Sequence, residues 1–151
     1  METKNMNVAE IQLTYKSKVK ASERPQINQS EDVHRLLLEN WNFEIIEFIE
    51  EFKIMLLNRA NRVLGIVEIS KGSMSGTLAD PKVIFAAAIK SAASQIILCH
   101  NHPSGNLKPS QADINLTRKL KTGGEILDIA VLDHIILSKD GYLSLAEEGI
   151  I

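Results

Sequence analysis

Two spacings of apolar residues alternate along this chain. Phe52 to Asn58, Val63 to Ser70 and Gln95 to Cys99 are short apolar runs bounded by polar or Gly/Pro-rich residues, the pattern of strands buried in a sheet. Arg59-Ala60-Asn61-Arg62 joins the first two as a hairpin-like connection. Helical spacing lies between and around them. Ser30-Glu31-Asp32 opens a helix carrying Val33, Leu36, Leu37 and Leu38 that ends near Trp41-Asn42. Asp80-Pro81 opens a second, with Asp as N-cap and Pro at the first helical position. Ile84, Phe85, Ala87, Ala88, Ile89 and Ala92 give that helix an apolar face rich in small residues, suited to close packing on a sheet. A third helix starts at Ser110 and runs to about Lys121, where Gly123-Gly124 stops it.

The remaining segments complete an α/β pattern. Ile126 to Ser138 reads as a further strand, and Lys139-Asp140-Gly141 turns into Tyr142-Leu143-Ser144. Val8 to Lys18 alternates weakly and reads as an edge strand, followed by a polar linker from Ala21 to Gln29. Lys71 to Thr77 is a glycine-punctuated loop or short strand without the spacing of a phosphate cradle. The order predicts a central mixed sheet flanked by helices, an α-β-α sandwich. The expected division is residues 1–29, strand and linker, and residues 30–151, the folded domain.

Composition narrows the class. At 151 residues the chain suits one domain with a single hydrophobic core, and a net charge of −2 with 44% apolar residues describes an ordinary soluble protein. No secretory leader and no bilayer-length apolar run is visible, so the cytoplasm is the expected location. One cysteine excludes an internal disulfide, consistent with a reducing compartment.

Chemistry concentrates in one place. His100-Asn101-His102-Pro103-Ser104-Gly105 follows the Gln95–Cys99 strand, and Pro109-Ser110 and Asp113 come next. Strand alternation points His100 and His102 the same way and Asn101 the other, and Pro103 keeps His102 extended. Ser110 reads as the N-cap of the third helix, which puts Asp113 in the first turn, where the helix dipole favours an ionised carboxylate. Two imidazoles and a carboxylate suit zinc in a hydrolytic site. Cys99, beside His100, alternates away from the pair and reads as a core thiol rather than a fourth ligand.

The string His-x-His, seven residues, Ser, two residues, Asp resembles the signature of the JAMM (MPN-type) metalloproteases. The longer pattern, His100 to Gly105 with Pro109-Ser110-x-x-Asp113 and Leu132-Asp133-His134-Ile135-Ile136, is similar to the RadC family, bacterial proteins labelled as DNA-repair factors. The likeness covers residues from about Ser30 onward. It implies a JAB/MPN, cytidine-deaminase-like fold, zinc (Zn2+) held by His100, His102 and Asp113, and Ser110 stabilising an oxyanion. It further implies a glutamate upstream as general acid and base. The Glu-Phe step of Glu51-Phe52 makes Glu51 the choice, with Glu50, Glu47 and Glu68 as competitors. JAMM proteases commonly carry Ser or Thr between the histidines, where this chain has Asn101, so ubiquitin-type specificity does not carry over.

The implied activity is zinc-dependent cleavage of amide or isopeptide bonds in a protein or peptide substrate. Asp133-His134 reads in two ways, as a carboxylate and imidazole supporting the metal site or as a histidine oriented by its neighbour inside a strand. The competing function is a DNA-repair-associated accessory protein. Lys16, Lys18, Lys20 and Arg24, with Arg118, Lys119 and Lys121, are its basic groups, set against a slightly acidic chain. The chain reads as a short form without the helix-hairpin-helix module of longer RadC proteins. A third reading, a scaffold that has lost its ligands, conflicts with the complete ligand set.

Overall fold

The computed structural model describes residues 7–72 and 79–151. Most of the Lys71–Thr77 loop therefore lies outside the described residues. Among the described residues three α-helices, α1 (Ser30–Asn40), α2 (Pro81–Lys90) and α3 (Gln111–Leu127), surround one sheet. Its strands are β1 (Glu51–Leu57), β2 (Val63–Lys71), β3 (Gln95–Asn101), β4 (Ala130–Leu137) and β5 (Tyr142–Ser144), in the order β2-β1-β3-β4-β5. β1 runs antiparallel to β2 and β3, β3 and β4 are parallel across the α3 crossover, and β5 returns antiparallel on β4. The sheet is mixed and helix-flanked, as the element order predicts.

The central strands β1 and β3 are buried on both faces because helices cover both sides. On one face Val33 and Leu37 of α1, with Trp41 and Ile46, pack on Met55, Leu57, Ile97, Cys99, Ile135 and Leu137. On the other, Ile84 and Ala88 of α2 and Leu120 of α3 pack on Ile54, Leu56, Ile96, Leu98 and Val131. Cys99 thus lies in the α1-side core, where burial pushes its thiol pKa up. Helix starts follow their local chemistry. The Asp80 side chain accepts the Lys82 N–H at 2.9 Å with Pro81 in the first turn, and Asp32 accepts the Gln29 N–H at 3.1 Å in a capping box.

Four expectations are corrected. Val8 to Lys18 forms no strand: Val8, Ile11 and Leu13 are exposed, and the segment has no ladder to stabilise it. The following linker is less free than its polarity suggests, since Ile27 is buried and Gln26 bridges to Arg62. Ile89 and Ala92 face solvent rather than the sheet, which leaves Ile84 and Ala88 as the buried stripe of α2.

The fourth concerns the end of α3, which continues through Gly123-Gly124 to Leu127 and ends where Asp128 adopts a left-handed conformation, φ 56°. β4 therefore starts at Ala130, and Ile126 is helical and exposed. The glycines answer to packing. A Cβ on Gly124 would meet the Ile129 carbonyl oxygen at 2.2 Å, and one on Gly123 would meet the Phe85 ring at 3.1 Å. The chain folds back onto the sheet through the space that Gly124 leaves.

Candidate metal centre

β3 carries His100 in its last turn of ladder, paired with Phe52 on β1, and the two rings stack with centroids 5.8 Å apart. His102 follows past the strand end, its N–H bonded to the Leu137 carbonyl at 3.0 Å. The two rings share one side, as alternation requires, and their Nε2 atoms are 2.9 Å apart. α3 brings the carboxylate. The Ser110 Oγ accepts the Asp113 N–H at 3.0 Å, and the Ser110 N–H donates to Asp113 Oδ2 at 2.8 Å, a capping box that fixes the Asp113 rotamer. Asp113 Oδ1 then lies 3.4 Å from His100 Nε2, and Oδ2 3.3 Å from His102 Nε2.

The hydrogen bonds determine which nitrogen of each ring is free. The Thr117 hydroxyl donates its one proton to the Asp113 main-chain carbonyl at 2.7 Å, so towards His134 Nδ1, also at 2.7 Å, it accepts. His134 Nδ1 therefore carries hydrogen. Burial pulls the His134 pKa well below its ordinary value, so the ring is neutral and its Nε2 is an acceptor. That Nε2 faces His100 Nδ1 at 2.7 Å, which places the His100 proton on Nδ1 and the lone pair on Nε2. His102 reaches the same state by a simpler route, Nδ1 donating to the Asn106 carbonyl at 2.6 Å. Two imidazole lone pairs consequently meet at a distance that only an intervening cation makes favourable.

The electrostatics point the same way. Burial opposes the charge of Asp113, yet the imidazoles of His100 and His102 beside it and the hydrogen bond from the Ser110 N–H hold its carboxyl well below the usual carboxylate range. The Asp113 carboxylate beside it raises the His102 pKa against the effect of burial. Two of the three donor separations, 3.3 and 3.4 Å between Asp113 and the imidazoles, match the roughly 3.3 Å edge of a tetrahedral zinc site with bonds of about 2.0 Å, and the third, between the two Nε2 atoms, is shorter at 2.9 Å. The donor set of two imidazoles and a carboxylate fits a borderline divalent ion.

Of the two adjacent glutamates, the sequence favours Glu51, but the structure brings Glu50 to the histidines. Glu51 is buried, but its carboxylate turns to the other face, 3.2 Å from Lys71 Nζ and 3.9 Å from Lys53 Nζ. Glu50 is the one beside the cluster, with Oε1 3.6 Å from His100 Nε2, and ligand atoms of Glu50, His100 and His102 all lie within 4.8 Å of one another. Parity explains the exchange: Phe52 pairs with His100 and shares its face, so Glu50, two residues earlier, does too. Glu47 is exposed and ion-paired with Lys139 at 3.6 Å, and Glu68 pairs with Lys53 across β1 and β2.

Asp133 and His134 separate. His134 lies behind His100, whereas Asp133 accepts from Ser144 Oγ at 2.5 Å and the Ala146 N–H at 3.0 Å, tying β5 to β4. The His134 ring is oriented by Thr117, a residue that no motif singles out in the sequence. A bulge decides this. Ile96 pairs with Val131 but Ile97 with Asp133, so Leu132 is extra and the faces of β4 invert beyond it. Among the histidines only His34 lies elsewhere, stacked on Tyr142 with centroids 4.4 Å apart.

Similarity to known proteins covers the same region. The model of the RadC-like JAB domain family matches residues 27–150. A UPF0758 protein of Flavobacterium johnsoniae is 48% identical over 101 residues, 67% of this chain and 44% of the relative. One from Desulfitobacterium hafniense is 44% identical over 128 residues, 85% and 55%, and one from Caldanaerobacter subterraneus 42% over 123, 82% and 52%. The chain spans about half the length of these curated relatives.

Proposed function

The chain belongs to the RadC-like JAB domain family, and on that premise we propose that it is a zinc-dependent hydrolase of amide or isopeptide bonds in a protein or peptide substrate, acting in the cytoplasm. The observation that carries this reading is the pair of imidazoles whose Nε2 atoms converge at 2.9 Å beside the Asp113 carboxylate. His100, His102 and Asp113 would hold the ion. Zinc, when bound, supplies Lewis acidity that makes water a nucleophile near neutral pH.

The residues of the chain divide the remaining work. Glu50 replaces the expected Glu51 as the group that takes a proton from the attacking water at its carboxylate and returns it to the leaving nitrogen. Ser110 accepts a hydrogen bond from the Asp113 N–H, so its own hydroxyl proton is available to donate to the oxygen that gains charge on the substrate carbonyl. Thr117 and His134 hold the His100 tautomer throughout. Asp113 is chosen as ligand over Glu50 because the capping box fixes its rotamer and its charge before any ion binds.

Elemental mass spectrometry on wild type and His102→Ala, after dialysis without chelator, tests the ligand set. About one zinc per chain in wild type and little in the variant is expected, followed by turnover in a screen of peptides and isopeptides. No metal in either, with none taken up on adding zinc, refutes the reading and makes salt-dependent DNA binding the next measurement.

A further inference from the structure

Between the two ligand histidines stands Asn101, which is fully buried and whose side chain points to the opposite face of β3. A carboxamide offers two N–H donors and one carbonyl acceptor. All are used, and every partner is main chain from one short segment: Nδ2 donates to the Ile46 carbonyl at 2.7 Å and the Ile49 carbonyl at 2.9 Å, and Oδ1 accepts the Glu51 N–H at 2.7 Å. The β1–β3 ladder has ended here, at the Phe52–His100 pair. The carboxamide takes over from the ladder and fixes the backbone just before β1, where buried unmade bonds are costly.

We infer that Asn101 is a positioning residue that places the Glu50 carboxylate against the imidazole pair by holding the main chain from Ile46 to Glu51. The inference rests on the reading of Glu50 as the base. With the Glu51 N–H held on Oδ1, the Glu51 side chain turns to Lys53 and Lys71, and Glu50 is directed to the other face. One strand triplet, His100-Asn101-His102, thereby sets both the ligands and the base. General-base action demands hydrogen-bond reach, and a displacement of about 1 Å lowers rates on the order of 100-fold.

The hydrogen-bond pattern, not side-chain volume, is what the assignment requires. Asn101→Asp is nearly isosteric but cannot donate to the two carbonyls. Asn101→Ser keeps a shorter side chain whose hydroxyl can both accept and donate. The test uses the cobalt-loaded full chain, its visible absorption bands at neutral pH, and amide exchange at Glu51 in the metal-free protein. All variants are expected to bind about one cobalt per chain. Glu50→Gln should alter the bands, Asn101→Asp should reproduce that alteration and speed Glu51 exchange at least ~10-fold, and the double variant should match Glu50→Gln alone. Asn101→Ser should retain the wild-type spectrum.

An Asn101→Asp protein with a lowered melting temperature but wild-type bands has lost only stability, and that result overturns the inference. Should Asn101→Asp not fold, Asn101→Ser and Asn101→Cys decide, because the thiol is a poor donor and acceptor of similar size. Equal spectra for those two overturn the assignment. A wild-type chain that takes up no cobalt refutes the metal reading itself, and the assignment with it, at the level of the parent protein rather than of a variant.

Discussion

The Nε2 atoms of His100 and His102 lie 2.9 Å apart, and each ring has its Nδ1 proton fixed by an acceptor, His134 Nε2 for one and the Asn106 carbonyl for the other. The fold brings two lone pairs together in a place where they repel unless a cation separates them.

Removing the support behind His100 should weaken metal binding without removing a ligand. His134→Ala is expected to lower zinc affinity by about 10- to 100-fold in chelator competition, and Thr117→Val, which takes away the acceptor for His134 Nδ1, by a smaller factor. Unchanged affinity in both variants would show that the tautomer relay has no effect on binding.

The two adjacent glutamates should separate function from stability. Glu50→Gln is expected to keep one zinc per chain and lose about 10²- to 10⁴-fold in turnover on any substrate found by the screen. Glu51→Gln should leave turnover in place and cost about 1–3 kcal/mol of stability, because Lys53 and Lys71 lose a buried partner. Denaturant unfolding and initial rates on both proteins check the pair, and a reversed pattern returns the base to Glu51.

The two glycines of α3 should also differ. Helix propensity alone favours alanine over glycine by about 1 kcal/mol at either site. Gly124→Ala must displace the Ile129 main chain and is expected to cost about 2–3 kcal/mol net, whereas Gly123→Ala meets only the Phe85 ring and should stay within roughly 1 kcal/mol of wild type. Thermal melts of the two variants decide this.

Asp133 sets a pH dependence of stability. Burial raises its pKa above the ordinary aspartate value of 3.8, against the hydrogen bonds from Ser144, Ala146 and His134 that favour the charged form. Between 3.8 and the higher folded value the native state binds more protons than the unfolded chain, so this contribution falls as pH rises through that window. Asp133→Asn should remove the slope and match or exceed wild-type stability at neutral pH. A steeper decline above the window in Asp133→Asn than in wild type contradicts the assignment.

Much of this was legible in the sequence because it is local chemistry. Asp80-Pro81 starts α2 through bonds within one turn, and Ser110 with Asp113 forms its capping box the same way. The apolar runs around Ile54 and Ile97 mark strands buried by helices, the run around Ile66 marks a half-buried edge strand, and the spacing of His100 and His102 puts both on one face. The Val8 to Lys18 alternation is equally visible, yet alternation alone makes no strand without a ladder to join.

Parity and close approach needed the tertiary structure. Nothing within Glu50-Glu51 says which carboxylate faces the histidines; the register of Phe52 on His100 decides it, and a one-residue shift exchanges the faces. The extra residue at Leu132 does the same on β4, sending His134 to the face of His100 and Asp133 to β5. Gly124 reads locally as a helix stop, but its place inside α3 is set by the Ile129 carbonyl, which only the returning chain brings near. The sequence by itself determined the grouping of His100, His102 and Asp113 and the elements they ride on, because caps, spacing and burial patterns act over a few residues. The tertiary structure alone decided which face each one presents, because pairing register and backbone contact arise between segments distant in the chain.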